Sequence, residues 1–384
     1  MKTQKERKMI MKKKALATKM AAFVMAGAMT MSMGGFTAFA AKTHGESGDI
    51  PLTKIVEASN DNEYVYAPNT SFNFEVKAVD TTSTFNNNFV KAGLKNEDGS
   101  ALGVSLTPAT ATFAPAEGEF DKTITQINIK VNYNDIYTNE KGGAGIYHYV
   151  VKEVKPEEAD RYEGITYSED VYNIYVYVYE DNTADATVVE KDGKVLGTKT
   201  DESTHEKFAR VEFTNTYDVH TLTITKKVDG NQGEKNRDFE FKLAVDGGIG
   251  EKYYYRVLNG TEVVKYGTID SKAYAEETAT KIELEDTWKV EVYGLSATDK
   301  YTVVEKDYTG EGYTTTITKG STKLDENVLT ATDTISDNTT VEFLNAKSVS
   351  TPTGIVTEYA PYILLVAAAG AFAVLFLRRK KEEF

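Results

Sequence analysis

The sequence predicts an all-β protein built as two tandem immunoglobulin-like sandwich domains, and three observations carry that prediction. Tyr, Val, Thr and Phe dominate the texture, and no long helical periodicity appears. The run Ile174-Tyr175-Val176-Tyr177-Val178-Tyr179 alternates aliphatic and aromatic residues with the period of two that a strand requires. An internal repeat then divides the chain. Leu52-Thr53-Lys54-Ile55-Val56 returns as Ile224-Thr225-Lys226-Lys227-Val228, and Phe72-Asn73-Phe74-Glu75-Val76 as Phe239-Glu240-Phe241-Lys242-Leu243. Tyr149-Val150-Val151-Lys152-Glu153 returns as Tyr301-Thr302-Val303-Val304-Glu305, and Val211-Glu212-Phe213-Thr214-Asn215 as Val341-Glu342-Phe343-Leu344-Asn345. The order is the same in both halves, which gives domains over 46–217 and 218–348. Many short strands with turn signals between them favour a sandwich for each. Asp98-Gly99 and Asp192-Gly193 read as hairpin turns. Gly142-Gly143-Ala144-Gly145 matches no phosphate-binding fingerprint and reads as a loop leading into a strand. The junction around Tyr217 to His220 has no Gly/Ser-rich linker, which predicts a stiff connection.

The two ends read as addresses. Residues 1–40 carry a basic start, an apolar run from about Met20 to Met33, and Ala38-Phe39-Ala40 as an A-x-A cleavage site, so this segment reads as a secretory signal and the mature chain begins at Ala41. Residues 350–384 place Ser350-Thr351-Pro352-Thr353-Gly354 before an apolar stretch, Tyr362 to Leu377, and then Arg378-Arg379-Lys380-Lys381. Positive residues halt translocation on the cytoplasmic side. A plain transmembrane anchor is the simpler alternative, but the apolar stretch is short for one. Motif, short apolar tail and positive stop together resemble the sortase sorting signal of Gram-positive surface proteins, in its pilin-type Pro-Thr-Gly variant with Thr351 in place of the usual apolar residue. The resemblance implies cleavage between Thr353 and Gly354 and transfer of the Thr353 carbonyl to an amine.

Composition excludes several functions. The formal charge is −14, and the signal holds eight basic residues against one acid while the segment after Thr353 holds four against three, leaving the mature part at −22. Such a chain is repelled by nucleic acid and by anionic lipid heads. There is no cysteine, hence no disulfide, thiolate metal site or thioester. His44, His148, His205 and His220 show no ligand spacing and read as surface or turn positions. No metal or cofactor is expected. Nor is an enzyme, since no nucleophile elbow or placed His base is present.

Each repeat does hold one Lys, one Glu and one Asn at matching places. Side chains of a strand alternate between its faces. Lys54 shares a face with Leu52 and Val56, Lys226 with Ile224 and Val228, Glu153 with Tyr149 and Val151, and Glu305 with Tyr301 and Val303. Asn215 lies with Val211 and Phe213, and Asn345 with Val341 and Phe343. All six polar groups therefore point inward, where an unpaired one is expensive. Burial disfavours the ammonium form of Lys and frees its lone pair. The same burial keeps Glu protonated, able to polarise the Asn carbonyl and shuttle a proton. A neutral Lys held against an Asn side-chain carbonyl can attack it and expel ammonia, once per site and without another enzyme.

These residues resemble the streptococcal pilin isopeptide-linkage family, the group A streptococcal backbone pilins. The likeness is carried by Leu52-Thr53-Lys54, Tyr149 to Glu153, Val211 to Tyr217 and their second-domain partners, and it spans nearly the whole mature chain. It implies Cna-B-like sandwich domains, isopeptide bonds Lys54–Asn215 beside Glu153 and Lys226–Asn345 beside Glu305, and a structural role in a covalent surface pilus. It further implies other copies of the chain, a sortase, and peptidoglycan or a base pilin as partners, with host surface ligands a further possibility. A shaft subunit needs an exposed acceptor amine, and the resemblance implies that it lies shortly before the last strand of the first domain. The aligned position is Phe208, which makes Lys207 the candidate, followed by Lys191, Lys194 and Lys199. A monomeric wall-anchored adhesin or minor pilin is the competing reading. The Tyr175, Tyr177 and Tyr179 face would serve either ligand binding or sheet packing.

Overall fold

The computed structural model describes residues 45, 47–60, 62–180, 186–196, 211–349, 362–370 and 372. The chain forms two immunoglobulin-like β-sandwiches in sequence. In the first, a five-stranded sheet runs Val104–Thr107, Thr123–Asn132, Ser47–Ala58, Val211–Tyr217, Ile165–Thr166. The sheet facing it runs Lys194–Val195, Ala186–Lys191, Val171–Val178, Gly145–Val154, Ser71–Ala78, Thr110–Thr112, and a hairpin of Ser83–Phe85 and Asn88–Ala92 joins it alongside Gly145–Val154. In the second sandwich the larger sheet runs Glu262–Asp270, Lys252–Asn259, Trp288–Leu295, His220–Asp229, Thr339–Ala346, Thr314–Lys319, Thr322–Lys323. The smaller one runs Thr280–Leu284, Phe239–Asp246, Lys300–Glu305, Thr330–Thr334.

The strands alternate as their sequences require. Val211–Tyr217 buries Val211, Phe213, Asn215 and Tyr217, and Lys300–Glu305 buries Tyr301, Val303 and Glu305. Each sandwich has its own apolar core. Leu52, Ile127, Tyr149, Val151, Ile174 and Phe213 belong to the first, and Leu222, Phe239, Leu243, Val292, Tyr301 and Phe343 to the second. The Asp192-Gly193 hairpin joins the adjacent strands Ala186–Lys191 and Lys194–Val195, and both turn residues take positive φ, 53° and 76°. That is the left-handed pair a two-residue hairpin needs.

In both sandwiches the first and last strands are parallel neighbours, and the register is the same. Lys54 lies opposite Phe213 and Val56 opposite Asn215. Lys226 lies opposite Phe343 and Val228 opposite Asn345. The facing sheets repeat a second pairing, Phe74 with Glu153 and Phe241 with Glu305.

The two sandwiches meet closely. Tyr64 packs on Tyr254 and Tyr293, and Phe120 meets Tyr254 edge-on, with ring centroids 5.9, 5.3 and 5.0 Å apart. The Arg256 guanidinium lies 4.1 Å from the centre of the Tyr64 ring. Tyr66 Oη and Thr268 Oγ1 are hydrogen-bonded at 2.7 Å, and Asn69 Nδ2 donates to the Ile249 carbonyl at 2.9 Å. The buried Lys122 ammonium donates to the carbonyls of Val65 and Phe120, both at 2.8 Å, and so fixes the backbone beside this aromatic group.

Three features differ from the sequence reading. A short helix, Tyr133–Thr138, follows the strand Thr123–Asn132, with Asn132 Oδ1 accepting from the Asp135 N–H. Six residues are too few to show helical periodicity. His148 is neither a turn nor a free surface group: it lies within the strand Gly145–Val154, half-buried and stacked on Tyr175 at 4.6 Å. Phe85 covers the other side of Tyr175 at 3.9 Å, so packing by the added hairpin occupies that part of the Tyr face, while Tyr179 stays exposed. The signal over 1–40, the motif Pro352-Thr353-Gly354, and Lys199 and Lys207 lie outside the described residues. Residues 362–370 are helical, and among the described residues no helix is long and apolar enough to cross a membrane.

Candidate functional site

The shared register sets the chemistry. In each sandwich the Lys and the Asn come from adjacent parallel strands two registers apart, and the Glu comes from the opposite sheet. The three meet between the sheets. Lys54, Asn215, Lys226 and Asn345 are 0% exposed, Glu153 5% and Glu305 1%.

In the first sandwich the Glu153 carboxylate bridges the other two residues. Lys54 Nζ donates to Oε2 at 2.7 Å, and Asn215 Nδ2 donates to Oε1 at 2.7 Å. The Asn215 carbonyl oxygen in turn accepts from the backbone N–H of Ser168 at 2.8 Å. In the second sandwich Lys226 Nζ and Asn345 Nδ2 both approach Oε1 of Glu305 at 3.0 Å. The Lys226 contact is an ion pair without hydrogen-bond alignment. Thr315 Oγ1 donates to Oε2 of Glu305 at 3.3 Å, and Asn345 Oδ1 has no hydrogen-bond partner among the described residues.

Burial pulls both amines down to about 8, against the opposing attraction of Glu153 for Lys54 and of Glu305 for Lys226. Burial also pushes the Glu305 carboxyl up, against the pull of Lys226. These directions favour the neutral Lys at both sites and the protonated Glu305 at the second. An aromatic ring closes each site over the amine: Lys54 Nζ lies 4.6 Å from the centre of Phe72, and Lys226 Nζ 4.2 Å from that of Phe239. Phe72 and Phe239 occupy the same place in the internal repeat, so the repeat carried their signal, although strand phase alone assigned them only to the core. Ser168 and Thr315 gave no sequence signal, because neither belongs to a repeated motif.

The six residues are therefore brought together as two triads. Of the acceptor candidates, Lys191 Nζ is paired with Asp170 at 2.6 Å and half-buried, while Lys194 is exposed on its short strand. Among the described residues no group of His, Cys, Asp and Glu could hold a metal ion.

Comparison with known proteins places this geometry. Residues 50–218 match the model of the Spy0128-like isopeptide containing domain, FctA. This match spans the first sandwich. Residues 220–347 match a second family, a domain of unknown function, DUF7601. The triad Lys54, Glu153 and Asn215 thus falls inside the isopeptide-domain match, and Lys226, Glu305 and Asn345 inside the other. A pilin from Streptococcus pyogenes serotype M1 is 28% identical over 360 residues, spanning 90% of this chain and 96% of that protein. The crystal structure of the major pilin from Streptococcus pyogenes superposes with a TM-score of 0.52 at 22% identity, covering 78% of this chain and 99% of that one. A point mutant of the same pilin gives 0.53 at 23%, with the same coverage. At these identities the solved structures establish the shared fold.

Proposed function

We propose that this chain is a structural subunit, the shaft pilin, of a covalent surface pilus on a Gram-positive bacterium. Its two domains, 46–217 and 218–348, each close one Lys–Asn isopeptide bond, Lys54–Asn215 and Lys226–Asn345. The observation that carries this reading is the Lys–Glu–Asn triad that recurs, buried and in one register, in both sandwiches. The neutral Lys nitrogen attacks Cγ of the Asn, and the carbonyl π electrons move to Oδ1. The protonated Glu gives its proton to Nδ2 and, as a carboxylate, takes one from the bonded Nζ, and the collapsing adduct expels ammonia. Glu153 and Glu305 are returned unchanged, and each site reacts once, so the chain does no turnover chemistry.

Intact mass spectrometry of the mature chain, 41–353, tests the bonds. The expected mass is about 34 Da below that of the plain sequence, about 17 Da for each ammonia expelled. A mass equal to the plain sequence would overturn the proposal.

Residues 1–40 direct secretion, and 350–384 deliver the chain to a sortase that cuts after Thr353. The Thr353 carbonyl then passes to Lys207 of another copy, or to peptidoglycan or a base pilin at the wall. Wall extracts boiled in detergent and probed for this chain should show a high-mass ladder that Lys207→Ala abolishes. A ladder that survives moves the acceptor to Lys191, Lys194 or Lys199. A single band near monomer mass in the unaltered chain selects the wall-anchored adhesin or minor pilin instead.

A further inference from the structure

The two triads are alike in register and unlike in what surrounds the Asn carbonyl. We infer that the backbone N–H of Ser168 is the oxyanion donor for closure of the first bond, and that the second site has no such donor and closes more slowly. The inference rests on the bond-forming reading above and adds a reacting contact to it.

Its source is a truncated strand. In the second sandwich the strand beside the Asn-bearing one runs Thr314–Lys319, with Thr315 directly opposite Asn345. The Thr315 N–H is donated to Asn327 Oδ1 at 3.1 Å, and the Thr315 hydroxyl goes to Glu305. Neither reaches Asn345 Oδ1, which is buried and without a partner among the described residues. In the first sandwich the corresponding strand stops after Ile165–Thr166, paired with Tyr217 and Thr216. Beyond the break the chain leaves the ladder, and the Ser168 N–H turns to the Asn215 side-chain oxygen at 2.8 Å. A partly buried backbone donor at that oxygen polarises the carbonyl before attack and receives the negative charge that develops as Lys54 Nζ bonds to Cγ. Glu153, meanwhile, already touches both the entering and the leaving nitrogen, one on each oxygen. The first site therefore gathers the groups an acyl transfer needs: nucleophile, proton relay, leaving group and oxyanion donor.

A backbone N–H is removed without altering the side chain by an amide-to-ester change at residue 168, installed by translating the α-hydroxy acid of Ser. The full chain is synthesised cell-free and synthesis is arrested. Samples are quenched in denaturant over time, and the Lys54–Asn215 and Lys226–Asn345 cross-linked peptides are counted after digestion. Rates taken after arrest remove the head start of the first sandwich. In the unaltered chain the Lys54–Asn215 bond should form the faster. The ester should slow it about 100- to 1,000-fold, the usual effect of deleting one oxyanion donor, and leave Lys226–Asn345 unchanged. If the ester variant closes its first bond at the unaltered rate, the donor role is overturned while the bonds themselves stand. Should the ester disturb folding of the first sandwich, the unaltered chain still decides: a first bond no faster than the second overturns the inference. If neither cross-linked peptide forms in the unaltered chain, it is the bond-forming reading that fails.

Discussion

Glu153 and Glu305 each sit between the Lys amine and the Asn amide nitrogen of their triad, which under the proposed bond formation makes each the proton relay. Neither is joined to anything in the product. Glu153→Ala should therefore leave a folded first sandwich with an unreacted Lys54 and Asn215, and Glu305→Ala should do the same in the second. In either variant the mass deficit should fall from about 34 to about 17 Da, and if both variants keep the full deficit the relay role is wrong. A bond closing a loop of more than a hundred residues is worth about 5 kcal/mol on the loop-entropy model for disulfides, so melting temperatures should drop with the bond. That these six residues turn inward and meet was legible from strand phase and repetition, since an inward-facing Lys, Glu and Asn recur in one order in both halves. The Ser168 donor was not legible. A backbone group has no letter in the sequence, and its orientation follows from where a neighbouring strand ends.

At the scale of the element, the parallel pairing of first and last strands is what brings Lys and Asn from two distant segments to one carboxylate. Lys54 and Asn215 are two registers apart, within reach of one carboxylate. The alternation of each strand was legible, but the choice of partners was not, because pairing across more than a hundred residues is decided by the whole sheet. A second element carries a pH dependence. The loop Gly247 to Glu251 and the turn at Ser296 to Asp299 bring two buried carboxyl groups around the Tyr253 hydroxyl. Glu251 Oε2 accepts from Tyr253 Oη at 2.7 Å and from the Gly248 N–H at 2.8 Å. Tyr162, from the first sandwich, donates to Glu251 Oε1, and Asp299 Oδ2 accepts from the Ser296 N–H at 2.9 Å. Burial, and then the charge of Glu251, push the Asp299 carboxyl up to about 7 from its ordinary 3.8, with Glu163 adding to the same direction. The folded state therefore holds a proton that the unfolded chain has released. Its contribution to stability is full below the ordinary carboxylate range and is lost as pH rises through about 7. Asp299→Asn keeps an acceptor for Ser296 and removes the charge. Its melting temperature should change less than that of the unaltered protein between about pH 5 and pH 8, and should be the higher of the two at pH 8. Parallel curves would show that Asp299 does not titrate in this window.

For the whole molecule the positions of the two proposed bonds define a path for tension. Load entering at Ser47 runs along the first strand to Lys54 and crosses to Asn215. It passes through Tyr217 and His220 to Lys226, then crosses again to Asn345 and leaves near Ala346. Only short lengths of chain at the entry, the junction and the exit carry force, and the junction is braced by the packing of Tyr64, Phe120, Tyr254 and Arg256. The absence of a flexible linker was readable in the sequence. The aromatic brace was not, because Tyr64 and Tyr254 reach each other only once both sandwiches are built. Pulled by its termini, the bonded protein should show no unfolding step, since the stretches between the bonded residues are bypassed. Glu153→Ala opens the first path. The parallel strands then part, and the 160 residues between Lys54 and Asn215 extend, giving a single gain on the order of 500 Å at about 3.4 Å per residue. Glu305→Ala should instead release the 118 residues between Lys226 and Asn345, a gain of roughly 400 Å. The two lengths identify which bond is missing without reference to mass. Single-molecule force spectroscopy reads them directly, and a bonded chain that lengthened by either amount would mean that the load does not cross at these residues.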